Sequence, residues 1–432
     1  GRVLNVLVCG CNRGVLVLLW HHAMAAALKV RTDMIRFVLN RSEVTTDAAA
    51  GAVLLDVLRG EFGLHATKEG CREGDCGACS VLVGQRYPDG VRYRTAGSCL
   101  LPVGALQGVH IVTLEGLNEG ELSLVQQAIV DEGATQCGFC TPGIIIALTG
   151  FLLSSDALSL DDAYAAVEGN ICRCTGYTSV RRAVQRLVER IALQEGNGVF
   201  RVEALVAAGQ LPSYFLEVSE WLDGLPAVSS PDAAEGVAVT VAGGTDLFVQ
   251  QAAALRSRPL RFIGDEPEWR GIERRDDHIA IGAAVTVEEL KQSPIMRCIF
   301  PVWDRALQLV SSTLIRNRAT VGGNIVNASP IGDLTILLLA MDAALRIFSP
   351  KGERCVSLDG FYQGYKQFDL REGEWIGEVI LPEPPAEEVL SFEKVSRREH
   401  LDIASVNTAM SIEVSEGCVS KARLSAGGVA PV

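Results

Sequence analysis

Eight of the thirteen cysteines in this 432-residue chain fall into two tight groups before residue 175, and no other feature restricts the possible folds so much. Cysteines so unevenly placed do not build a disulfide-stapled secreted scaffold, so the grouping points to metal. Cys71, Cys76 and Cys79 stand as C-x4-C-x2-C, and nineteen residues separate Cys79 from Cys99. This is the plant-type [2Fe–2S] spacing, in which one loop wraps the iron pair and a distant strand end supplies the fourth thiolate. Gly70, Gly74 and Gly77 let that loop take positive φ and turn N–H groups toward sulfur. Zinc is the competing reading, although zinc knuckles usually pair two-residue spacings and tolerate fewer glycines.

The second group joins Cys137-Gly138-Phe139-Cys140, ahead of Pro142, to Cys172-Arg173-Cys174. Each pair stands directly before a predicted helix, whose free N–H groups and partial positive charge favour thiolates. A lone CxxC could be a thioredoxin-like redox pair, and a lone CxC says almost nothing. Together, in one helical region downstream of the first loop, they specify a second [2Fe–2S] cluster.

Length at about 150 residues per domain gives roughly three domains. The chain is 48% apolar and 21% charged, an ordinary globular composition. Its net charge of −13 repels phosphate backbones and anionic lipid, so no nucleic acid and no membrane surface is expected as partner. No stretch reaches the roughly 18 unbroken apolar residues of a membrane helix, and the chain reads as cytoplasmic. Residues 1–33 read as upstream sequence or an artefact ahead of a natural start at Met34, which leaves Cys9 and Cys11 without function. Arg13, a short apolar run and Ala23-Met24-Ala25 also fit a signal peptide.

The fold class is multidomain α+β. Residues 34–116 read as a hairpin over Ile35–Thr46, a helix over Ala52–Leu58 closed by Gly60, and strands at Ser80–Val83 and Val109–Leu114. Residues 117–195 read as helices at Leu122–Val130, Pro142–Leu153, Leu160–Val167 and Val180–Leu193. Ser159 with Asp162 resembles an N-terminal cap. Val180, Val184, Leu187, Val188 and Ile191 form the apolar stripe of the last helix, and Arg181, Arg182, Arg186 and Arg190 its wet face. Residues 196–236 read as a linker with a short strand at Tyr214–Val218. Residues 237–385 mix strands (Val237–Ala242, His278–Ile281, Leu345–Phe348, Trp375–Leu381) with helices at Val302–Leu309 and Asp333–Met341 and a Gly-rich loop at Thr320–Asn327. Residues 386–432 read as the start of a further α+β subdomain, cut short. Cys298, Cys355 and Cys418 stand alone and read as small buried residues.

Taken together, GCREGDCGAC, QCGFCTPG and GNICRCTGY resemble the iron–sulfur and flavin small subunit of the xanthine dehydrogenases, in the molybdenum hydroxylase family, and the resemblance runs from Met34 to the C-terminus. It implies a β-grasp plant-type ferredoxin domain, an all-helical [2Fe–2S] domain and an α+β FAD-binding domain of PCMH-like type, in that order. The eight ligands would be Cys71, Cys76, Cys79 and Cys99, then Cys137, Cys140, Cys172 and Cys174. Gln136 would lie between the second cluster and a molybdenum cofactor held by a partner large subunit. Electrons would reach FAD through the two clusters and pass to NAD, in xanthine and hypoxanthine oxidation. The residues of hydroxylation itself are absent.

Read from residues alone, a strand emptying into Gly243-Gly244 is a weak phosphate signal, and Thr320-Val321-Gly322-Gly323-Asn324 repeats it. There is no G-x-G-x-x-G fingerprint, so a dinucleotide must be held another way. The resemblance supplies that way through Thr240, Val241, Ala242, Gly243, Gly244, Thr245, Asp246 and Leu247, through Thr320, Gly323 and Asn324, and through Asp333 and Lys394. It also places Arg397 and Arg398 near the flavin face that NAD approaches, against a plain reading as a solvated pair. Val310 stands where some relatives carry an aromatic that stacks on the flavin nucleotide. The competing functions are a related aldehyde or N-heterocycle hydroxylase and, from another class, a zinc-stapled binding module.

Overall fold

Among the described residues the first two strands, β1 (Ile35–Leu39) and β2 (Ser42–Thr46), form a hairpin across Asn40, whose φ of 54° suits a tight turn. The computed structural model describes residues 34–155, 158–194, 202–226, 238–385 and 387–430, so the readings of residues 1–33 lie outside the described residues. β3 (Ser80–Tyr87), β4 (Gly90–Gly97) and β5 (His110–Val112) complete a mixed sheet in the order β2-β1-β5-β3-β4, with β1 and β5 parallel. The helix Leu54–Gly60 buries Leu54, Val57 and Leu58 on the sheet and Leu55 beside Cys79, Cys99 and Val241. It runs through Gly60, and the chain turns instead at Gly63, where φ is +66°. β4, which the sequence reading passed over, alternates Val91, Tyr93 and Thr95 with arginines.

The helices that follow are set by local signals. Ser123 and Gln126 form a capping box on Leu124–Asp131, and the Ser159 hydroxyl accepts from the Asp162 N–H at the start of Leu160–Val167. Helix Thr141–Ser154 is buried at eleven of its fourteen positions, since it is apolar all round and has β3, β4 and the helices Leu124–Asp131 and Leu160–Val167 about it. Each of its buried Ile, Leu and Phe side chains contributes about 1.5–3 kcal/mol. On helix Thr178–Gln194, Val180, Val184, Leu187 and Ile191 are buried as the stripe requires. Its arginines do more than meet water: Arg182, Arg186 and Arg190 pair with Glu132 and Asp131 of the helix opposite.

Residues read as a linker hold structure. Helix Val202–Ala207, a 3-10 turn at Ser213–Leu216 and helix Val218–Asp223 bury Leu205, Tyr214, Phe215, Val218 and Leu222 in the core of the helical region. The expected strand at Tyr214–Val218 is therefore corrected: Tyr214 and Phe215 stack against His110 and Trp221, and this packing decides the local conformation.

Beyond it, β6 (Val239–Val241) lies parallel to β7 (Leu260–Phe262). β8 (Ile272–Arg274), β9 (His278–Gly282), β10 (Ala344–Ser349) and β11 (Gly352–Ser357) join β14 (Trp375–Pro382) in an antiparallel sheet of order β11-β10-β14-β9-β8, and β12 (Tyr362–Gly364) and β13 (Gln367–Phe368) form a small hairpin. The chain ends in a meander of β15 (Glu388–Val395), β16 (Val406–Ser415) and β17 (Cys418–Gly427), packed on helix Asp333–Ala340. The expected Gly-rich loop at Thr320–Asn327 is corrected to a helix, Val321–Asn327. The Thr320 hydroxyl caps it by accepting from Gly323, and Gly322 packs closely on Ala283, so capping and packing outweigh two glycines. Cys298, Cys355 and Cys418 are exposed, contrary to expectation: none of the three packs into a core cluster, and Cys355 points outward from β11, at one edge of its sheet. Among the described residues no helix is long and apolar enough to cross a membrane.

Candidate functional site

The loop between helix Leu54–Gly60 and β3 carries Cys71, Cys76 and Cys79, and the turn after β4 brings Cys99 back to it. Their sulfurs close in pairs. Cys71 and Cys76 lie close enough to influence each other's ionisation, as do Cys79 and Cys99, and Cys71 acts electrostatically on both members of the second pair. Backbone N–H groups aim at sulfur, with Glu73 N donating to Cys71 Sγ at 3.3 Å and Cys71 N to Cys76 Sγ at 3.5 Å. Hydrogen bonding by the Cys76 thiol, helped by the N–H groups of Glu73, Cys76 and Asp75 against the effect of burial, lowers Cys71 to about 5. Loop N–H groups that favour thiolates in this way suit a cluster of net negative charge.

The second group closes likewise. Cys137 lies close enough to Cys174, and Cys140 to Cys172, for each to influence the other's ionisation, while Thr175 Oγ1 donates to Cys172 Sγ at 3.1 Å. The Phe139 N–H and then the Cys174 thiol lower Cys137. Pro142 stands in the first turn of Thr141–Ser154 as expected, with Cys140 at the cap position. Two pairs per group suit two irons better than one zinc. The groups also touch: Ile171 N donates to the Cys76 carbonyl at 3.0 Å, one residue before Cys172.

Farther along the chain, the structure brings the two expected flavin segments side by side. Gly243 packs against the Arg318 carbonyl, with no room for a side chain, and Arg318 Nη2 donates to the Gly243 carbonyl at 3.2 Å. Val241 is buried, Thr240 is exposed, and Ala242, Thr245 and Leu247 are half-buried beside Gly244, whose φ is +77°. Asp246, raised by burial, faces Gln250, and Gln250 reaches Asn327 at the far end of the helix that Thr320 caps. Two buried polar atoms here, Asn324 Oδ1 and Arg318 Nε, have no hydrogen-bond partner, as a site built for a polar ligand would leave them. Lys394 is 1% exposed and donates to Asp333 Oδ2 at 2.7 Å and to the Leu309 carbonyl at 2.7 Å. Asp333 also accepts from Asn407 Nδ2 at 2.5 Å, so the expected pair is a triad. Burial raises Asp333 in spite of Lys394 and Asn407. Asn407 and Arg318 carried no local sequence signal, since both act through partners distant in the chain. Val310 is buried, and Arg397 and Arg398 are exposed, with Arg398 paired to Asp402.

Three family patterns match along the chain in the order of these sites: "2Fe-2S iron-sulfur cluster binding domain" over residues 37–102, "[2Fe-2S] binding domain" over 113–185, and "FAD binding domain in molybdopterin dehydrogenase" over 226–384. The chain thus carries two [2Fe–2S] domains followed by an FAD-binding domain of the molybdopterin dehydrogenase type, and its relatives include xanthine dehydrogenases. It is 28% identical to xanthine dehydrogenase 1 of Arabidopsis thaliana, over 93% of this chain and 35% of that one. It is also 28% identical to xanthine dehydrogenase/oxidase of Gallus gallus, over 92% and 35%. This chain thus spans about a third of the length of the curated relatives it matches. Among solved structures, carbon monoxide dehydrogenase from Hydrogenophaga pseudoflava is 30% identical with a TM-score of 0.43, over 53% of this chain and 72% of that one.

Proposed function

We propose that this chain is the electron-transfer part of a cytoplasmic xanthine dehydrogenase, working with a partner subunit that holds a molybdenum cofactor and oxidises xanthine and hypoxanthine. Cys71, Cys76, Cys79 and Cys99 hold one cluster, and Cys137, Cys140, Cys172 and Cys174 the other. Thr240–Leu247, Thr320, Gly323, Asn324, Asp333 and Lys394 hold FAD. When bound, each cluster carries one electron and FAD two, so reducing equivalents from the partner can leave as hydride to NAD+.

The observation that most supports this reading is the closure of each thiolate group as two pairs, with a backbone hydrogen bond joining the two loops. The Gly243-Gly244 turn offers backbone N–H groups to a diphosphate, while Lys394 holds Asp333 in a fixed position beside the same domain's core. Gln136, Cys137, Phe139, Ile171, Cys174 and Tyr177 are all exposed around the second group, which gives the partner an apolar face beside the thiolates.

Purified full-length chain is expected to be brown, with flavin and iron–sulfur absorption, to hold about four iron and one FAD, and to bleach on addition of NADH. A colourless protein containing zinc overturns the cluster assignment. Clusters and flavin that dithionite reduces and NADH does not overturn the assignment of NAD.

A further inference from the structure

We propose that the segment Glu168–Cys172 is a positioning strap that fixes the spacing of the two thiolate groups and of the flavin domain, with Glu168 as its anchor. This rests on the electron-transfer reading above. Glu168 caps the C-terminal end of helix Leu160–Val167 in the helical domain, yet its carboxylate is 7% exposed and faces the flavin domain. Oε1 accepts from Arg316 Nη2 at 3.2 Å and Oε2 from Gln308 Nε2 at 2.9 Å, with His400 Nδ1 at 3.5 Å. Arg316, 1% exposed, is otherwise spent inside its own domain: Nε donates to Glu288 at 2.7 Å, Nη2 to Thr313 at 2.8 Å and Nη1 to the Gln308 and Val310 carbonyls.

The next four residues continue across the junction. Gly169 lies so close to Ser312 that a Cβ would stand 2.8 Å from its hydroxyl oxygen. Asn170 Nδ2 donates to the Gly77 carbonyl at 3.0 Å, Ile171 N to the Cys76 carbonyl at 3.0 Å, and Cys172 itself belongs to the second group. Five consecutive residues therefore meet the flavin domain, the first thiolate loop and the second thiolate group in turn. Thr313 reinforces the junction by donating to the Ala165 carbonyl at 3.0 Å.

An apolar contact of the same area would hold these domains together but tolerate sliding. A buried guanidinium shared between two carboxylates from different domains admits one arrangement, because any displacement leaves a charge unpaired out of water. Electron tunnelling falls off exponentially with distance, so a fixed spacing is where such a constraint matters for function.

The test compares wild type, Glu168→Ala, Glu168→Gln and Asn170→Ala as full-length holoproteins. The readout is the spin–spin splitting between the two cluster signals in low-temperature EPR of the dithionite-reduced protein. We expect Glu168→Ala and Asn170→Ala to keep both sets of g-values and lose the splitting. Glu168→Gln, whose amide still accepts from Arg316, is expected to retain it. Splitting unchanged in Glu168→Ala overturns the strap; if that variant does not accumulate, unchanged splitting in Asn170→Ala overturns it. A wild-type protein without two distinct cluster signals refutes the underlying cofactor reading instead, which separates the two failures.

Discussion

Each cysteine group pairs two buried members with two nearer the surface, but the outer pairs differ, Cys71 and Cys76 being half-buried and Cys137 and Cys174 exposed. Cys79 and Cys99 are 2% and 3% exposed, enclosed by Leu100, Val53 and Ile315, and so face the flavin domain through protein. Cys137 and Cys174 are exposed at the end of the helical region, beside Phe139 and Tyr177. The glycines that follow Cys76 and Cys137 repeat the contrast. Gly77, at φ +64°, is pressed on Asn170 and the Gly169 carbonyl, whereas Gly138, at φ +80°, has nothing within 4 Å of where a Cβ would sit. The first group thus reaches into packed protein, where distances are set by contacts, and the second reaches the surface.

The largest effect that could break this contrast comes from the ligands. Cys76→Ser and Cys137→Ser should each lower iron from about four to about two per chain and remove one EPR signal, leaving the other intact. Loss of both signals in either variant means that the ligands are grouped otherwise. Because metal binding is coupled to folding, Cys76→Ser should also lower the melting temperature more than Cys137→Ser, as it empties an enclosed site. Equal melting temperatures would argue that enclosure adds nothing.

A smaller effect separates the glycines. Gly138→Ala should cost about 1–2 kcal/mol, the strain of a left-handed residue. Gly77→Ala should add about 1–3 kcal/mol for overpacking against the strap. Urea unfolding of the holoproteins checks the order, and a Gly138 variant as costly as Gly77 would remove the distinction.

A further effect is a pH dependence that arises in the first region. His110 is fully buried, with Nδ1 bonded to the Tyr93 hydroxyl at 2.8 Å and Nε2 to the Asn40 carbonyl at 2.9 Å, and burial lowers it from 6.5 to about 4. The unfolded chain then binds a proton that the folded chain does not. Stability present above pH 6.5 is lost as pH falls toward 4, by up to about 3 kcal/mol. Residues 117–194 contain no histidine, so this loss belongs to the sheet. Unfolding of wild type and His110→Gln at pH 7 and pH 5 should show a shallower slope in the variant; parallel slopes would assign the acid sensitivity elsewhere.

Both cysteine groups, the Ser159 cap and the helices of residues 117–194 were legible because each depends on neighbours within a few positions: ligand spacing, one hydroxyl, a 3.6-residue stripe. The helix at Val321–Asn327 was hidden by its glycines, whose low propensity is overcome by Thr320 and by contact with Ala283 far back in the chain. Residues 202–226 looked like a linker because their apolar side chains answer to His110 and the helical core and keep no period of their own.

What the sequence by itself determined is therefore the grouping of the cysteines and the order of the two iron–sulfur domains and the FAD-binding domain. Only the tertiary structure decided that Cys71 meets Cys76 while Cys137 meets Cys174, that Asn407 joins Asp333, and that Glu168 meets Arg316. Glu168 and Arg316 meet only when two domains close on one another, and Asn407 and Asp333 or Cys137 and Cys174 only when distant segments pack within one domain, so no local pattern announces these pairings.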